Sequence, residues 1–258
     1  MDETTALGVL AACAFLPPLV LVMWIRNQER HFREPMRVII ALMLYGATLG
    51  VVAAIMLTKF VRPLLPVNAT ILGVSQLVFA TVILAPPVEE LAKGLGLRIA
   101  RRDLDELEDG LIHGAAIGLG FAATENFAYG VLDFQFAGLG DAVATIALRV
   151  ISSTLLHAGT TALIGFGYAL WRVRGWTFFT LALVYVLASL EHGLYNFLVV
   201  DHGSSYPWLH YTGFVTAVSL VTLNFVLLVR VVRRLDSAGA PRSFVPIALD
   251  RGPGPPPR

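Results

Sequence analysis

Cysteine is nearly missing from this chain. Cys13 is the single thiol among 258 residues, which excludes a disulfide framework and any cysteine-ligated metal site. Charge is scarce as well: 14% of residues are charged, where a soluble domain would carry roughly a quarter. With 56% hydrophobic residues and a mean hydropathy of +0.72, a soluble globular protein is excluded. The N-terminus, MDETTALG, has no basic stretch, so the first apolar run reads as a retained membrane helix and not as a cleaved signal peptide. The net charge of only +1, with basic residues confined to the ends of apolar runs, argues against a nucleic-acid partner. No aspartate lies in the middle of an apolar run, which disfavours an aspartyl-pair protease. The last run has no lysine for a retinal Schiff base, and there is no H-E-x-x-H zinc motif.

What is present is a series of apolar runs, each near the roughly 20 residues that a hydrocarbon core of about 30 Å requires. Seven are marked: Leu7–Ile25, Val38–Thr58, Ile71–Ile99, Gly110–Val131, Val150–Trp171, Trp176–Val200 and Trp208–Val229. The expected fold is an all-α, polytopic transmembrane helix bundle. Alternate connections carry Arg26, Arg30, Arg33 and Arg37, then Arg98, Arg101 and Arg102, then Arg172 and Arg174, with Arg230, Arg233 and Arg234 after the last run. The opposite connections carry only Lys59, Arg62 and Arg149. By the positive-inside rule the N-terminus is outside and the C-terminus cytoplasmic. Leu132–Arg149, mostly apolar with Asp133 and Asp141 interspersed, has the option of lying along the outer interface before the fifth run, which periodicity alone does not decide. The transmembrane domain is read as residues 1–235, and residues 236–258, rich in Pro and Gly, as a disordered cytoplasmic tail. Asn68-Ala69-Thr70 forms a glycosylation sequon of consequence only in a eukaryotic secretory setting. Gly114 and Gly118 form a small-xxx-small face suited to close helix packing.

Ionisable groups inside these runs are costly and mark a functional site by default. Glu89 and Glu90 on the third run, Glu125 on the fourth, His157 on the fifth, and Glu191 and His192 on the sixth all fall ~19–23 Å from the cytoplasmic end of their helices at ~1.5 Å per residue. Lys93 is i+4 from Glu89 and i+3 from Glu90 and can neutralise part of the pair. Pro86-Pro87 should restart the helix just before the glutamates, placing them in its first turn. Two adjacent carboxylates in a low dielectric do not both carry charge easily, which suits one of them to be a general base. Asn196 shares a face with His192, a donor pair for an oxyanion, and Tyr129 shares a face with Glu125. Ser152, Ser153, Thr160 and Thr161 are expected to bond to backbone carbonyls one turn back. His113 reads as an interfacial histidine near the cytoplasmic surface. In this chemistry Glu89 or Glu90 deprotonates water while His157 and His192 polarise the carbonyl directly or hold zinc, with Glu125 as third ligand. A metal-free glutamate mechanism stays open. So does a different class, a proton-coupled transporter with a Glu/His relay, although only the third run has the proline break that such folds show in pairs.

Taken in order, Glu89-Glu90-Leu91-Ala92-Lys93, Glu125-Asn126-Phe127-Ala128-Tyr129, His157-Ala158-Gly159 and His192-Gly193-Leu194-Tyr195-Asn196 resemble the PrsW family of intramembrane proteases, which is related in pattern to the CAAX prenyl endopeptidases. Glu125 stands where the prenyl endopeptidases carry a histidine. The resemblance implies hydrolysis of a peptide bond within the bilayer of a cell membrane, in a prokaryotic setting, on a single-span substrate such as an anti-sigma factor. Glu89, Glu90, His157 and His192 would then be catalytic, with Lys93, Glu125, Asn126 and Asn196 in support.

Overall fold

The computed structural model describes residues 2–31, 33–65, 72, 73, 75–199 and 207–239, and the regular elements among them are all helical. The sequon and the tail beyond residue 239 lie outside the described residues. The principal helices are α1 (Glu3–Arg26), α2 (Met36–Tyr45), α3 (Val51–Val61), α4 (Ala85–Leu95), α5 (Leu107–Ala137), α6 (Leu139–Ile151), α7 (Ser153–Arg172), α8 (Phe178–Val199) and α9 (Pro207–Gly239). Among the described residues, five segments are long and apolar enough to cross a bilayer: Glu3–Arg26, Met36–Leu64, Leu139–Arg172, Phe178–Val199 and Tyr211–Ala238. Two of the seven expected spans fall short of that description. The run through Glu89 is divided into short pieces, and α5 owes much of its composition to Gly and Ala and carries Glu125 and Asn126.

Helix α5 is the axis of the bundle, its side chains buried almost continuously from Glu108 to Ala123. Its start is fixed by a capping box in which the Asp109 carboxylate accepts the N–H groups of Asp105 and Glu106, at 2.8 and 2.7 Å, satisfying donors that a helix end leaves orphaned. It ends at Gly138, whose φ of +89° is open to glycine at little cost. The chain then returns antiparallel as α6 and α7. The segment Leu132–Arg149, whose place periodicity does not decide, runs through the turn of this hairpin and forms most of α6. Ala142 and Ile146, one turn apart, are buried with Leu10 and Ala14 of α1, and Thr145 donates to Asp133 across the hairpin.

Glycine sets how closely the hairpin packs. Gly110 meets Gly165, Gly114 meets Thr161 and Gly118 meets His157, and a methyl built on any of the three would overlap the opposing carbonyl oxygen. The small-xxx-small reading of Gly114 and Gly118 thus acquires a named partner, and the His157 backbone is pressed directly onto Gly118.

The arginine-bearing end is closed by polar contacts. Asp236 accepts the N–H groups of Arg30 and His31 at 3.0 and 2.9 Å, so α9 continues through the position where the tail was expected to begin. His113 is near this end, as expected, but it is buried and 2.9 Å from the Glu34 carboxylate. Glu29, in the connection between α1 and α2, accepts the Glu34 N–H at 2.8 Å. Burial pushes its carboxyl up to about 8; the Glu34 hydrogen bond opposes the shift, and the charges of Asp109, Glu34 and Glu108 reinforce it.

Two outcomes follow from this packing. A carboxyl harder to ionise folded than unfolded contributes stability below its ordinary value of 4.5 and loses it as pH rises toward about 8. The thermal unfolding temperature of detergent-solubilised protein should therefore fall between about pH 5 and pH 8, and Glu29→Gln should flatten that slope. Gly118→Ala should destabilise the bundle by about 1–3 kcal/mol or more through overpacking. Gly8→Ala, whose methyl meets nothing within 4 Å, should be neutral or stabilising by up to about 1 kcal/mol, with both read by denaturant unfolding in bicelles.

Candidate active site

The glutamate pair sits just after a change of helical register. A short helix at Gln76–Val78 passes into a π-helical segment, Phe79–Leu84, and α4 begins at Ala85 with both prolines in its opening positions. The backbone stays right-handed helical through Leu84, so the prolines change the hydrogen-bond register and do not start a separate helix. Glu89 and Glu90 consequently fall in the second turn of α4, not the first. Wide turns and prolines leave carbonyls over, and α8 satisfies two of them. Asn196 Nδ2 donates to Thr81 O and the Tyr185 hydroxyl to Pro87 O, each at 2.7 Å.

The expected layer of polar groups is a single cluster. The rings of His157 and His192 stand 5.0 Å apart, nearly perpendicular. Between them and α4 lies Lys93, fully buried, its Nζ 2.8 Å from Glu90 Oε1, 2.7 Å from His157 Nδ1 and 3.8 Å from Glu89 Oε2, with the Phe121 ring 4.4 Å beneath it. Glu90 is saturated. Its Oε1 also contacts Thr160 Oγ1 at 3.0 Å and His192 Nδ1 at 2.9 Å, and its Oε2 contacts Thr161 Oγ1 at 3.3 Å. Thr160 keeps its expected bond to Leu156 O and Ser152 bonds to Leu148 O. Thr161 and Ser153 depart from that expectation: Thr161 serves Glu90, and Ser153 Oγ accepts from Arg149 at 3.0 Å.

Glu89 differs from its neighbour. Successive residues on a helix point about 100° apart, and this turn carries Glu89 into a cavity of about 420 Å³ that it shares with Glu125, Arg149, His157, His192 and Asn196. Its Oε2 is buried without a hydrogen-bond partner. Glu125 Oε2 lies 2.7 Å from Arg149 Nη2 and 2.8 Å from His157 Nε2. Arg149 also donates through Nε to Asn126 Oδ1 at 2.9 Å, and its guanidinium lies over the Tyr129 ring at 3.9 Å. Asn126 is fully buried and donates to Thr154, so it fastens the α5–α7 hairpin. Glu191, expected at the same depth, turns away and accepts from Asn224 at 2.6 Å.

Arg149, which the sequence alone places in an outer connection, lines this cavity. The signal for it was Glu125: a carboxylate at that depth needs a cation, and Lys93 was already matched to the pair on its own helix.

The donor set for a metal also differs from the expected His157, His192 and Glu125. Among the described residues, Glu89, His157 and His192 each offer a ligand atom, all within 4.8 Å of one another, whereas Glu125 is engaged by Arg149. Two imidazoles and one carboxylate are a known zinc-enzyme donor set, and Glu89 Oε2, which makes no hydrogen bond and lies 3.8 Å from both His192 Nε2 and Lys93 Nζ, keeps its lone pairs for a cation. The contact between His192 Nδ1 and Glu90 is the carboxylate–histidine arrangement that orients a metal-binding ring. The three residues fit a divalent ion.

The profile of a family described as PrsW family intramembrane metalloprotease matches residues 34–228. Protease PrsW of Clostridioides difficile (strain 630) is 34% identical over 119 residues, covering 45% of this chain and 48% of the relative, so the match spans about half that protein's length. Protease PrsW of Geobacillus kaustophilus (strain HTA426) is 25% identical over 209 residues, covering 79% of this chain and 84% of the relative. No solved structure matches.

The unequal surroundings of the two glutamates separate their substitutions. Glu90→Gln leaves Lys93 buried without its carboxylate and should cost about 3–5 kcal/mol, as breaking one side of a buried pair does. Glu89→Gln removes a carboxylate that makes no hydrogen bond and should cost under about 1 kcal/mol. Unfolding titrations of the two variants side by side check the contrast.

Proposed function

This chain belongs to the PrsW family of intramembrane metalloproteases, and on that premise we propose that its polar cavity hydrolyses a peptide bond of a single-span membrane protein, with anti-sigma-factor-like proteins as the substrate class. The observation that carries the reading is the convergence of two imidazoles and an unpartnered buried carboxylate oxygen on one cavity. Glu89, His157 and His192 would hold the metal. When bound, the ion would supply Lewis-acid polarisation of the scissile carbonyl and of a water.

The remaining work falls to the chain's own groups. Glu90 orients, since its oxygens are spent on Lys93, His192, Thr160 and Thr161. With Lys93 protonated, His157 Nδ1 can only accept, so Nε2, on the side of Glu125, is the ring atom left to hold a metal and would then carry no proton. Glu125 lines the same cavity, and in this reading it receives the proton of the attacking water and returns it to the leaving amine. Arg149 keeps that carboxylate in place. A helical peptide bond is shielded by its own backbone hydrogen bonds, so the segment to be cut has to leave the helix before it can react. The substrate must enter unwound, with its freed backbone groups meeting polar side chains such as Asn196 and Tyr129. All seven apolar runs are taken as crossings, with the N-terminus outside, which sets the cut in the outer half of the bilayer.

The contact between Lys93 and His157 also favours a second reading, in which Glu89 is the base and no metal is used, because it leaves His157 Nε2 carrying a proton. Metal content and cleavage of a single-span substrate, measured on the same preparations, separate the two. In the first reading, Glu89→Gln, His157→Ala and His192→Ala each weaken metal binding by more than about a hundredfold, beyond the ~10–100-fold that changing a group behind a ligand costs, and lose cleavage. Glu125→Gln keeps its metal while turnover drops about 10²–10⁴-fold, the usual worth of a general base. Full turnover by metal-stripped protein selects the second reading. Normal cleavage by Glu89→Gln sinks both.

A further inference from the structure

A second cavity lies outside the catalytic one. Between α4, α7 and α8 an apolar groove of about 380 Å³ runs from the level of Glu90 to that of Arg98, walled by Leu91, Ile164, Phe178 and Leu181, a length of ~12 Å along the helix. At its arginine-bearing end it shares Arg98, Tyr168 and Trp171 with a smaller cavity of about 200 Å³ that Arg101 and Arg172 also line. Arg98 and Arg101 have no ion-pair or hydrogen-bond partner among the described residues, and Arg172 rests over the Trp171 ring at 5.4 Å.

We propose that this groove and its mouth form a binding site for one anionic phospholipid, with an acyl chain in the groove and the headgroup phosphate on Arg98, Arg101 and Arg172. Polarity chooses the occupant. An unwound peptide would find no backbone partner along the apolar inner stretch, because the two polar groups at the inner end are already used. Glu90 is saturated, and the Tyr185 hydroxyl is given to Pro87 O. Unsatisfied peptide groups in an apolar site cost several kcal/mol each. An acyl chain carries none. At the mouth, three guanidinium groups without carboxylates repel one another, and a phosphate between them relieves this with bidentate hydrogen bonds. Basic pockets between membrane helices, flanked by interfacial aromatics such as Trp171 and Tyr168, recognise anionic headgroups in this way.

The proposal stands apart from the protease reading and is tested without cleavage, by native mass spectrometry of the full chain in detergent. The protein is offered phosphatidylglycerol and phosphatidylcholine of identical acyl chains. One phosphatidylglycerol should be retained in preference to phosphatidylcholine. Arg98→Gln/Arg101→Gln should lower that preference about fivefold per arginine, the worth of a basic residue at an anionic surface. Ala182→Trp, on the groove wall, keeps every charge and should abolish retention of either lipid, with Ala182→Leu as a milder filling if the tryptophan variant unfolds. Equal retention of the two lipids, or a preference unchanged in the arginine variant, overturns the proposal. Full displacement of phosphatidylglycerol by inorganic phosphate overturns it too, since the groove would then contribute nothing. Lipid retention untouched by Ala182→Trp, together with loss of cross-linking to a single-span substrate, would assign the groove to substrate instead.

Discussion

Lys93 is the residue on which the site's arrangement depends. A lysine with no solvent exposure inside a membrane bundle is tolerated only if its charge is met at close range, and Glu90 meets it at 2.8 Å. Such a pair repays its desolvation only when the remaining donors and acceptors are also satisfied. Here they are, by groups from three helices: Thr160, Thr161 and His157 from α7, His192 from α8, and the pair itself on α4. The pair thereby determines which way both histidines face. It also leaves Glu89 as the carboxylate without a hydrogen bond, aimed into the cavity.

The hairpin of α5 and α7 does the complementary work from the other side. Glycines at four-residue intervals let the two backbones touch, and this contact brings His157, Thr160 and Thr161 within reach of Glu90. The same hairpin, extended through α6, carries Arg149 back to Glu125. Precision at the site is thus set by backbone packing of small residues, where a single added methyl is felt.

Much of this was legible in the sequence, and what was not has identifiable causes. Depth counting along helices brought Glu89, Glu90, Glu125, His157 and His192 to one level because helical rise is uniform, and the structure gathers all five. Which of two adjacent glutamates faces the cavity depends on helix rotation, which the register change before α4 resets, so Glu89 and Glu90 could not be told apart. The expected ligand role of Glu125 failed to anticipate Arg149, because a cation before an apolar run reads as a connection and nothing local marks the return of α6 onto α5. Hydropathy counted seven runs, yet α5 and the broken run through Glu89 are buried by neighbours and need less apolar surface of their own. Asp236 looked like the start of a tail because its partners, the N–H groups of Arg30 and His31, are two hundred residues away in sequence.

The geometry assigns different tasks to residues that a motif treats alike. Glu90 and Asn126 hold structure, Glu89 and Glu125 face the cavity, and His192 is oriented from behind by a carboxylate, as metal-binding imidazoles are. Whether Glu89, His157 and His192 bind one ion is tested most directly by X-ray absorption at the metal edge of the purified protein. Scattering from two imidazoles and one carboxylate is expected, falling to one imidazole in His157→Ala. A bound metal without imidazole scattering, or two imidazoles persisting in His157→Ala, would contradict it.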